Sequence, residues 1–335
     1  MNTDISSLTS GEMGKLWATY TGNTMAKCVL SYYLKNVEDK DIKKVLKYAL
    51  SLTKTYISDI ETIFKRGDFP IPVGLTDDDV NLDAPRLFKD EFYLYYLQYT
   101  GKAGMSLYSK AISIVTRKDI REFFAKALND VVLLMNHTND VLKSKGMLMN
   151  SPAMPNPNGI DFVNKQSFLN GFLGNVRPLH GLEIAHLFDN INNDITSKAL
   201  IIGFSQGAKH SRVRKFLERG RNINERHIDK LSQKLNEDYL PSPTLLDHLV
   251  TSSTIPPFSD KLMVFHKVDM FSMEIREYAN GASLNGRKDI GAIYARCLMD
   301  VSLYVKTGAN ILIEKGWMEQ PPLAVNRNHL STNEL

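Results

Sequence analysis

The chain lacks the features that mark disulfide-rich, membrane-spanning and nucleic-acid-binding proteins. Its 335 residues include two cysteines, Cys28 and Cys297, which are too few for a disulfide framework or a cysteine-based zinc site. No apolar run approaches the ~18 residues of a membrane span, and residues 1–11 are too polar for a signal peptide. The formal net charge is only +4, and the basic stretch 212–221 is interrupted by acidic and apolar residues. We therefore expect a cytoplasmic protein with no membrane span and no nucleic-acid partner.

An internal repeat is the strongest pattern in the sequence. The tetrapeptide Arg-Lys-Asp-Ile at 117–120 returns at 287–290, 170 positions later. About a quarter of the positions match at this offset over roughly 67 residues without a gap. A period this long indicates two copies of a whole domain rather than a solenoid of short units.

Each half of the chain predicts four helices. In the first half, apolar residues recur at three- and four-residue spacing over about 10–34, 42–66, 87–115 and 117–145. The second half repeats this plan over about 178–207, 211–237, 258–281 and 287–315. Thr116 and Asp119 have the spacing of a capping box, so we expect Thr116 to cap the fourth helix.

A long connection follows the second helix of each half, with Pro70 and Pro72 in the first half and Pro241 and Pro243 in the second. About 18 extended residues reach ~60 Å, which is enough to run the full length of a bundle. One such crossover between helices two and three is typical of ferritin-like bundles. The sequence thus predicts an all-α fold of two tandem ferritin-like four-helix bundles. The predicted divisions are a first bundle at 1–150, a linker at 151–177, a second bundle at 178–320 and a C-terminal tail at 321–335.

These features together resemble a known family. The helix plan, the Pro-x-Pro connections, the repeated Arg-Lys-Asp-Ile and the Lys-Gly ending of the fourth helix are similar to a Bacillus-type family called domain of unknown function 3231. The resemblance covers roughly 10–150 and 178–320. It implies ferritin-like bundles related to the spore coat F domain, often duplicated in one chain. It implies no catalytic residues, because the family has no established ones.

A ferritin-like bundle raises the question of a di-iron site, which needs a Glu from each of two helices and a Glu-x-x-His from each of the other two. The first half has a single histidine, His137, with no Glu three residues before it. The second half has one literal match, Glu183 and His186, on its first helix. There His186 lies on the opposite side of the helix from the apolar stripe, so we do not expect a metal ligand.

Polar residues within the core stripes of the second half are the candidate ligand-binding residues. They are Asn224, His227, His266, Asp269, Cys297 and Asp300. One interpretation is structural, with these groups satisfying one another or a water. The other is a polar pocket that binds a metal ion or a small ligand. In either case we expect His227 and Asp269 to lie within hydrogen-bonding reach of each other.

The function that these observations favour is a non-enzymatic structural or interaction protein, cytoplasmic or spore-associated as the resemblance implies. Protein partners, including a second copy of the chain, are expected, and no cofactor is. The alternative is a divergent metal- or ligand-binding protein that holds a metal ion or small ligand in the second bundle. No glycine-rich phosphate loop and no Gly-x-Ser-x-Gly motif supports another chemistry.

Overall fold

The computed structural model describes residues 8–327, and within that range it contains eight α-helices, three short 3₁₀ turns and no named strand. The helices of the first half are α1 (Ser10–Asn36), α2 (Lys40–Arg66), α3 (Asp90–Ile112) and α4 (Lys118–Ser144). Those of the second half are α5 (Gly181–Gly207), α6 (Ser211–Glu237), α7 (Asp260–Leu284) and α8 (Lys288–Glu314). The predicted all-α fold of two tandem four-helix bundles is confirmed.

In each half, two helix hairpins are joined by a long connection, residues 67–89 in the first half and 238–259 in the second. The hairpins α1–α2 and α3–α4 pack against each other mainly through α2 and α4. The second half uses α6 against α8 and also α5 against α7. The helices of the two halves correspond in order at an offset of 170 or 171 residues. Helix α1 is equivalent to α5, α2 to α6, α3 to α7 and α4 to α8.

The start of the fourth helix corrects the prediction of a capping box at Thr116. Helix α4 begins at Lys118, and its N-cap, Arg117, makes no side-chain cap. Glu12 of α1 caps the turn instead, accepting the backbone N–H of Thr116 at 3.1 Å and of Arg117 at 2.8 Å. Asp119 pairs with Arg117 across 2.7 Å. A local sequence pattern could not show this cap, because the carboxylate comes from a helix about 100 positions away.

The second copy repeats this arrangement. Glu183 of α5 accepts the backbone N–H groups of Gly286 and Arg287 at 3.0 and 3.1 Å. Arg287 pairs with Asp289 through two hydrogen bonds, at 3.1 and 2.8 Å. The repeated tetrapeptide therefore supplies an Arg–Asp ion pair and a buried isoleucine at each α3–α4 or α7–α8 turn.

Both capping glutamates have strongly lowered pKa values. Burial alone raises the pKa of the Glu12 carboxyl, but backbone donors from Arg117, Thr9 and Thr116 outweigh it and bring the pKa to about 2. Burial likewise raises the pKa of Glu183, and hydrogen bonds from Arg177, His180 and Gly286 lower it to about 2. The two carboxylates are therefore ionised wherever the protein is folded above that pH.

The two halves pack against each other in a reciprocal way. Their long connections form two antiparallel bridges, Val80 with Phe258 and Phe88 with Val250. Val80 is equivalent to Val250, and Phe88 to Phe258, at the repeat offset of 170. Exchanging the two copies therefore converts one bridge into the other. Such an exchange is the mark of an isologous contact. The two halves are therefore related by a pseudo-two-fold axis at these bridges.

One apolar core runs through both bundles, and a smaller one occupies the far end of the first bundle. Between the bundles, Tyr32 donates its hydroxyl hydrogen to the carbonyl of Pro85 and packs its ring at 5.2 Å from Phe258. Ile120 and Ile290 are fully buried at the starts of α4 and α8.

The remaining segments connect or follow the bundles. Residues 145–180 contain a short 3₁₀ turn at Gln166–Leu169 and several exposed apolar side chains. The predicted tail begins at 321, and its residues 328–335 lie outside the described range, as do residues 1–7 of the polar N-terminus. No helix within residues 8–327 combines the length and the apolar character that crossing a membrane requires.

Candidate functional site

A chain of hydrogen bonds crosses the interior of the second bundle. Tyr278 of α7 lies with its hydroxyl 2.7 and 2.9 Å from the two carboxyl oxygens of Asp194 on α5. The same hydroxyl is 2.9 Å from His227 Nδ1 on α6, and His227 Nε2 is 3.3 Å from Asp300 Oδ2 on α8. All four helices of the bundle thus contribute one member each.

The members of this chain differ in burial, and their pKa values shift accordingly. Asp194 is fully buried, and burial and the neighbouring Glu274 raise its pKa well above the ordinary value. Burial lowers the pKa of His227 to about 4, so its imidazole is neutral at pH 7. Tyr278 donates its hydroxyl hydrogen to the carboxyl group of Asp194, and the two ring nitrogens of His227 lie between Tyr278 and Asp300. The chain of bonds therefore leads from a buried acid to a carboxylate that is 30% exposed.

This geometry overturns the predicted contact between His227 and Asp269. His227 is buried, as predicted, but its partners are Tyr278 and Asp300. Helix α7 is buried on two sides, because one face packs into its own bundle and another faces the first bundle. Asp269 lies on the second of these faces. A helical wheel places both faces in one apolar stripe and cannot separate them.

A buried lysine and a buried glutamate lie in the same bundle. Lys267 and Glu274 of α7 are both almost completely buried, and Lys267 Nζ donates to Ser197 Oγ of α5 at 2.7 Å. Burial lowers the pKa of Lys267, although the charges of Glu274 and Asp194 act in the opposite direction. Burial raises the pKa of Glu274, and Lys267 opposes that shift. The interior thus holds one amino group and two carboxyl groups, and burial disfavours the charged form of all three.

Several buried oxygens of this bundle have no hydrogen-bond partner among the described residues. They include both carboxyl oxygens of Glu274, the side-chain oxygen of Asn224 and the hydroxyl of Tyr304, although Ser197 lies near enough to Glu274 to lower its pKa by hydrogen bonding. Asn224 uses its amide nitrogen to donate to the backbone oxygen of Asp194 at 3.1 Å. Buried polar groups are rarely left unpaired, because each costs ~1–3 kcal/mol. These oxygens on α6, α7 and α8 therefore point to a missing donor.

The first bundle lacks this interior. At the positions of Asp194, Lys267 and Glu274 it has Asn23, Leu97 and Gly104, as the aligned helices show. At the position of His227 it has Tyr56, whose hydroxyl lies 3.2 Å from Asp130, the equivalent of Asp300. One contact at the bundle edge is thus retained in both copies, whereas the charged centre belongs to the second copy alone.

The residues of the second bundle do not fit a di-iron centre, although they follow its helix plan in outline. The four helices carry, in order, Asp194, Asn224-x-x-His227, Glu274 and Cys297-x-x-Asp300. Asn224 directs its amide nitrogen to the backbone, and Lys267, which cannot ligate a metal when protonated, lies among these residues. Within residues 8–327, no three His, Cys, Asp or Glu side chains are placed to hold a metal ion.

The six candidate residues separate into two places. Asn224, His227 and Asp300 belong to the second-bundle interior, where Cys297 is also buried. His266 lies between the bundles, with its Nε2 2.7 Å from the hydroxyl of Tyr96, its own equivalent in the first copy. Asp269 lies in a cleft between the bundles, as described below. Whether any of the six binds a ligand stays a prediction.

The sequence interpretation missed Asp194, Lys267, Glu274 and Tyr278. A signal was present, because Asp194 follows Leu187 and Ile191 at helical spacing, and Glu274 stands between Phe271 and Tyr278 at the same spacing. A charged residue inside an apolar stripe is the observation that would have found them.

A surface cleft of about 340 Å³ opens beside this interior. Lys215, Arg219 and Arg226 of α6 line it, and so does Asp300 of α8. The carboxylate of Asp300, which ends the buried chain of hydrogen bonds, therefore faces both the interior and this cleft.

Two comparisons with known proteins found similar chains. A crystal structure of a candidate spore coat protein from Bacillus halodurans C-125 is 18% identical in sequence, with a TM-score of 0.41, and the match covers 45% of this chain and 98% of that one. No curated protein matches the chain. A family model described as "Protein of unknown function (DUF3231)" matches twice, over residues 1–160 and 167–330. The chain therefore belongs to the DUF3231 family and contains two copies of its domain in tandem.

Proposed function

We propose that the chain is a non-enzymatic binding protein. In this proposal the first bundle is a structural scaffold, and the second bundle binds a small polar molecule that donates hydrogen bonds. The observation that carries the proposal is the set of unpartnered oxygens of Glu274, Asn224 and Tyr304, on three helices of one bundle. A bound donor would satisfy these oxygens and offset the cost of burying them.

The internal duplication supports a functional reason for the charged centre. The first bundle forms the same four helices with Leu97 and Gly104 in place of Lys267 and Glu274. Charges inside a protein are costly, and replacing a buried ion pair by apolar residues is often neutral or stabilising. The charges are therefore not required for the fold, and ligand binding is a reason for their presence.

Native mass spectrometry of protein purified without chelator tests this proposal. We expect a non-covalent adduct of one small molecule per chain, lost in the isosteric variant Glu274→Gln. The matched control is Thr53→Val, at the first-bundle position that corresponds to Asn224, and it should retain the adduct. Adding the identified molecule should raise the melting temperature of the parent and not of Glu274→Gln.

Three results would contradict the proposal. The parent could carry no adduct, which would mean that water alone fills the site. The adduct could persist in Glu274→Gln, which would place it elsewhere. Finding iron or manganese in stoichiometric amount would show that the bound species is a metal ion, which is the alternative function stated in the sequence analysis.

For the cellular setting we propose association with the spore, supported by the sequence resemblance to spore-coat-related proteins. A fluorescent fusion followed through sporulation should give a signal at the spore periphery. A signal that stays diffuse in the cell at every stage would contradict the association. Protein partners, including a second copy, remain predictions that light scattering and cross-linking of the purified chain would test.

A further inference from the structure

A second candidate site lies between the two bundles, apart from the interior of the second bundle. It is a cleft of about 290 Å³ formed by α1, the face of α7 that carries Asp269, the end of α8 and the residues that follow α8. Both tryptophans of the chain, Trp17 and Trp317, line it together with Phe265. Small-molecule sites often occupy such clefts at domain interfaces, and this volume is near the lower end of their usual size.

The charged groups of the cleft are paired, with one exception. Glu319 accepts the backbone N–H groups of Val73 and Gly74, and Lys261 Nζ donates to the carbonyl of Gly74 at 3.0 Å. Asp269 is exposed to the cleft, and its carboxylate has no hydrogen bond or ion pair among the described residues. The cleft therefore presents aromatic faces and a single free carboxylate.

The pseudo-symmetric position on the other side of the molecule is filled by larger side chains. There Tyr99 stands in place of Asp269 and donates its hydroxyl hydrogen to the carbonyl of Met270 at 2.9 Å. Lys102 stands in place of Ser272, and its Nζ lies 2.5 Å from Asp189 and 3.1 Å from Asn193. The packing of the two bundles therefore does not require a cleft, since one of the two equivalent positions is closed.

We propose that the cleft binds a small monocationic amine with an aromatic or alkyl body. The ammonium group would donate charge-assisted hydrogen bonds to Asp269, and the faces of Trp17, Trp317 and Phe265 would attract the cation and cover the apolar body. An anionic ligand of the same shape would be repelled by the Asp269 carboxylate. Burial raises the pKa of Asp269, and the positive charge of Arg276 opposes that shift. This inference does not rest on the proposed function of the second-bundle interior.

Intrinsic fluorescence reports this cleft directly, because both tryptophans line it. The probe is 2-phenylethylamine, titrated into the full chain and followed by tryptophan fluorescence and calorimetry. We expect saturable one-to-one binding. The matched anion 3-phenylpropionate, with a similar body and the opposite charge, should bind at least tenfold more weakly.

Two variants of the cleft and one outside it sharpen the test. Asp269→Asn keeps the shape and removes the charge, so amine affinity should fall at least tenfold. Ser272→Lys copies the closed side, where Lys102 stands, and should abolish binding. Glu274→Gln, in the second-bundle interior, should leave amine affinity unchanged, so a failure of the proposed function is distinguishable from a failure here.

The amine assignment would be overturned by equal binding of amine and carboxylate, or by an unchanged affinity in Asp269→Asn. It would also be overturned if the full chain failed to bind the amine. A chain that ends at Arg327 should bind with the same affinity as the full chain. Binding by that shorter chain alone would show that residues 328–335 are the occupant of the cleft.

Discussion

The first bundle has Leu97 and Gly104 at two positions of its third helix, whereas the second bundle has Lys267 and Glu274. Both bundles keep similar helix bounds, a capping carboxylate at the α3–α4 or α7–α8 turn and a buried isoleucine. The two centres thus differ in their interior side chains although the helices correspond. This difference shows that this fold tolerates either an apolar or a charged centre, since the contacts that define the helices lie elsewhere.

The turn contacts explain why the two copies stay alike in shape. Asp90 at the start of α3 accepts the backbone N–H groups of Glu38 and Asp39 at the α1–α2 turn. Asp260 makes the same contacts to Lys209 and His210 at the α5–α6 turn. With the capping glutamates, each turn is thus held by a carboxylate from the opposite hairpin. Charge-assisted bonds of this kind are stronger than neutral ones, and they fix how the two hairpins sit together.

The largest loss of stability should come from substituting a buried residue that both copies share. Ile120→Asp and Ile290→Asp each bury a charge in a fully buried position, so each should cost on the order of 4–5 kcal/mol or more and unfold its bundle. Urea unfolding checks this, with Val132→Asp on the exposed side of α4 as a control that should change little. Tolerance of either buried substitution would show that the two cores are not equivalent.

The next largest loss of stability should come from Lys267 and Glu274, which only the second bundle has at these positions. Lys267→Leu gives the second bundle the residue of the first, removes the hydrogen bond to Ser197 and the electrostatic attraction to Glu274 and Asp194, and should cost ~1–3 kcal/mol. Adding Glu274→Leu removes a buried carboxyl group that the lysine attracts, so the double variant should regain part of that stability. A double-mutant cycle by urea unfolding measures the coupling. Simple additivity of the two losses would contradict an electrostatic coupling between Lys267 and Glu274.

Acid stability should depend on Glu12 and Glu183 in both copies alike. Their pKa values of about 2 lie below the ordinary 4.5, so each stabilises the folded state above pH 4.5 and loses that contribution as the pH falls toward 2. Glu12→Gln and Glu183→Gln should each lower the free energy of unfolding by ~1–3 kcal/mol at pH 7. Each should also reduce the loss of stability between pH 4.5 and 2. Urea unfolding at pH 7, 5 and 3 tests this. The exposed Glu122→Gln should leave the dependence of stability on pH unchanged. If both cap variants lost as much stability at acid pH as the parent, Glu12 and Glu183 would not be the groups responsible.

The smallest effect concerns His227. Its folded pKa of about 4 lies below the ordinary 6.5, so acidification protonates the unfolded chain first and stability falls between pH 6.5 and 4. His227→Tyr introduces the residue that the first bundle has at Tyr56, and should change stability at pH 7 by no more than about 1 kcal/mol. His227→Tyr should also reduce the loss of stability between pH 6.5 and 4 by ~1–3 kcal/mol. The remaining loss should come from His266, whose pKa burial lowers to about 3. An unchanged pH profile would show that His227 is not the titrating group.

Much of the fold could be predicted because its signals are local. Helix periodicity depends on side chains three and four residues apart, and the prolines of the connections restrict the backbone wherever they stand. The repeated tetrapeptide indicates the duplication, because two copies of one domain keep the same turn residues. The predicted third helix, at about 87–115, was longer than the observed Asp90–Ile112 because helix ends depend on caps.

The interior of the second bundle and the cleft between the bundles were decided by tertiary structure. The periodicity of α7 marks its residues as buried, but not which face meets its own bundle and which meets the first. That choice assigns Glu274 to the interior and Asp269 to the cleft, and it gives His227 the partners Tyr278 and Asp300. The physical reason is that side chains on different helices meet only when the rotation and axial position of each helix are set by packing, which no pattern within one helix contains.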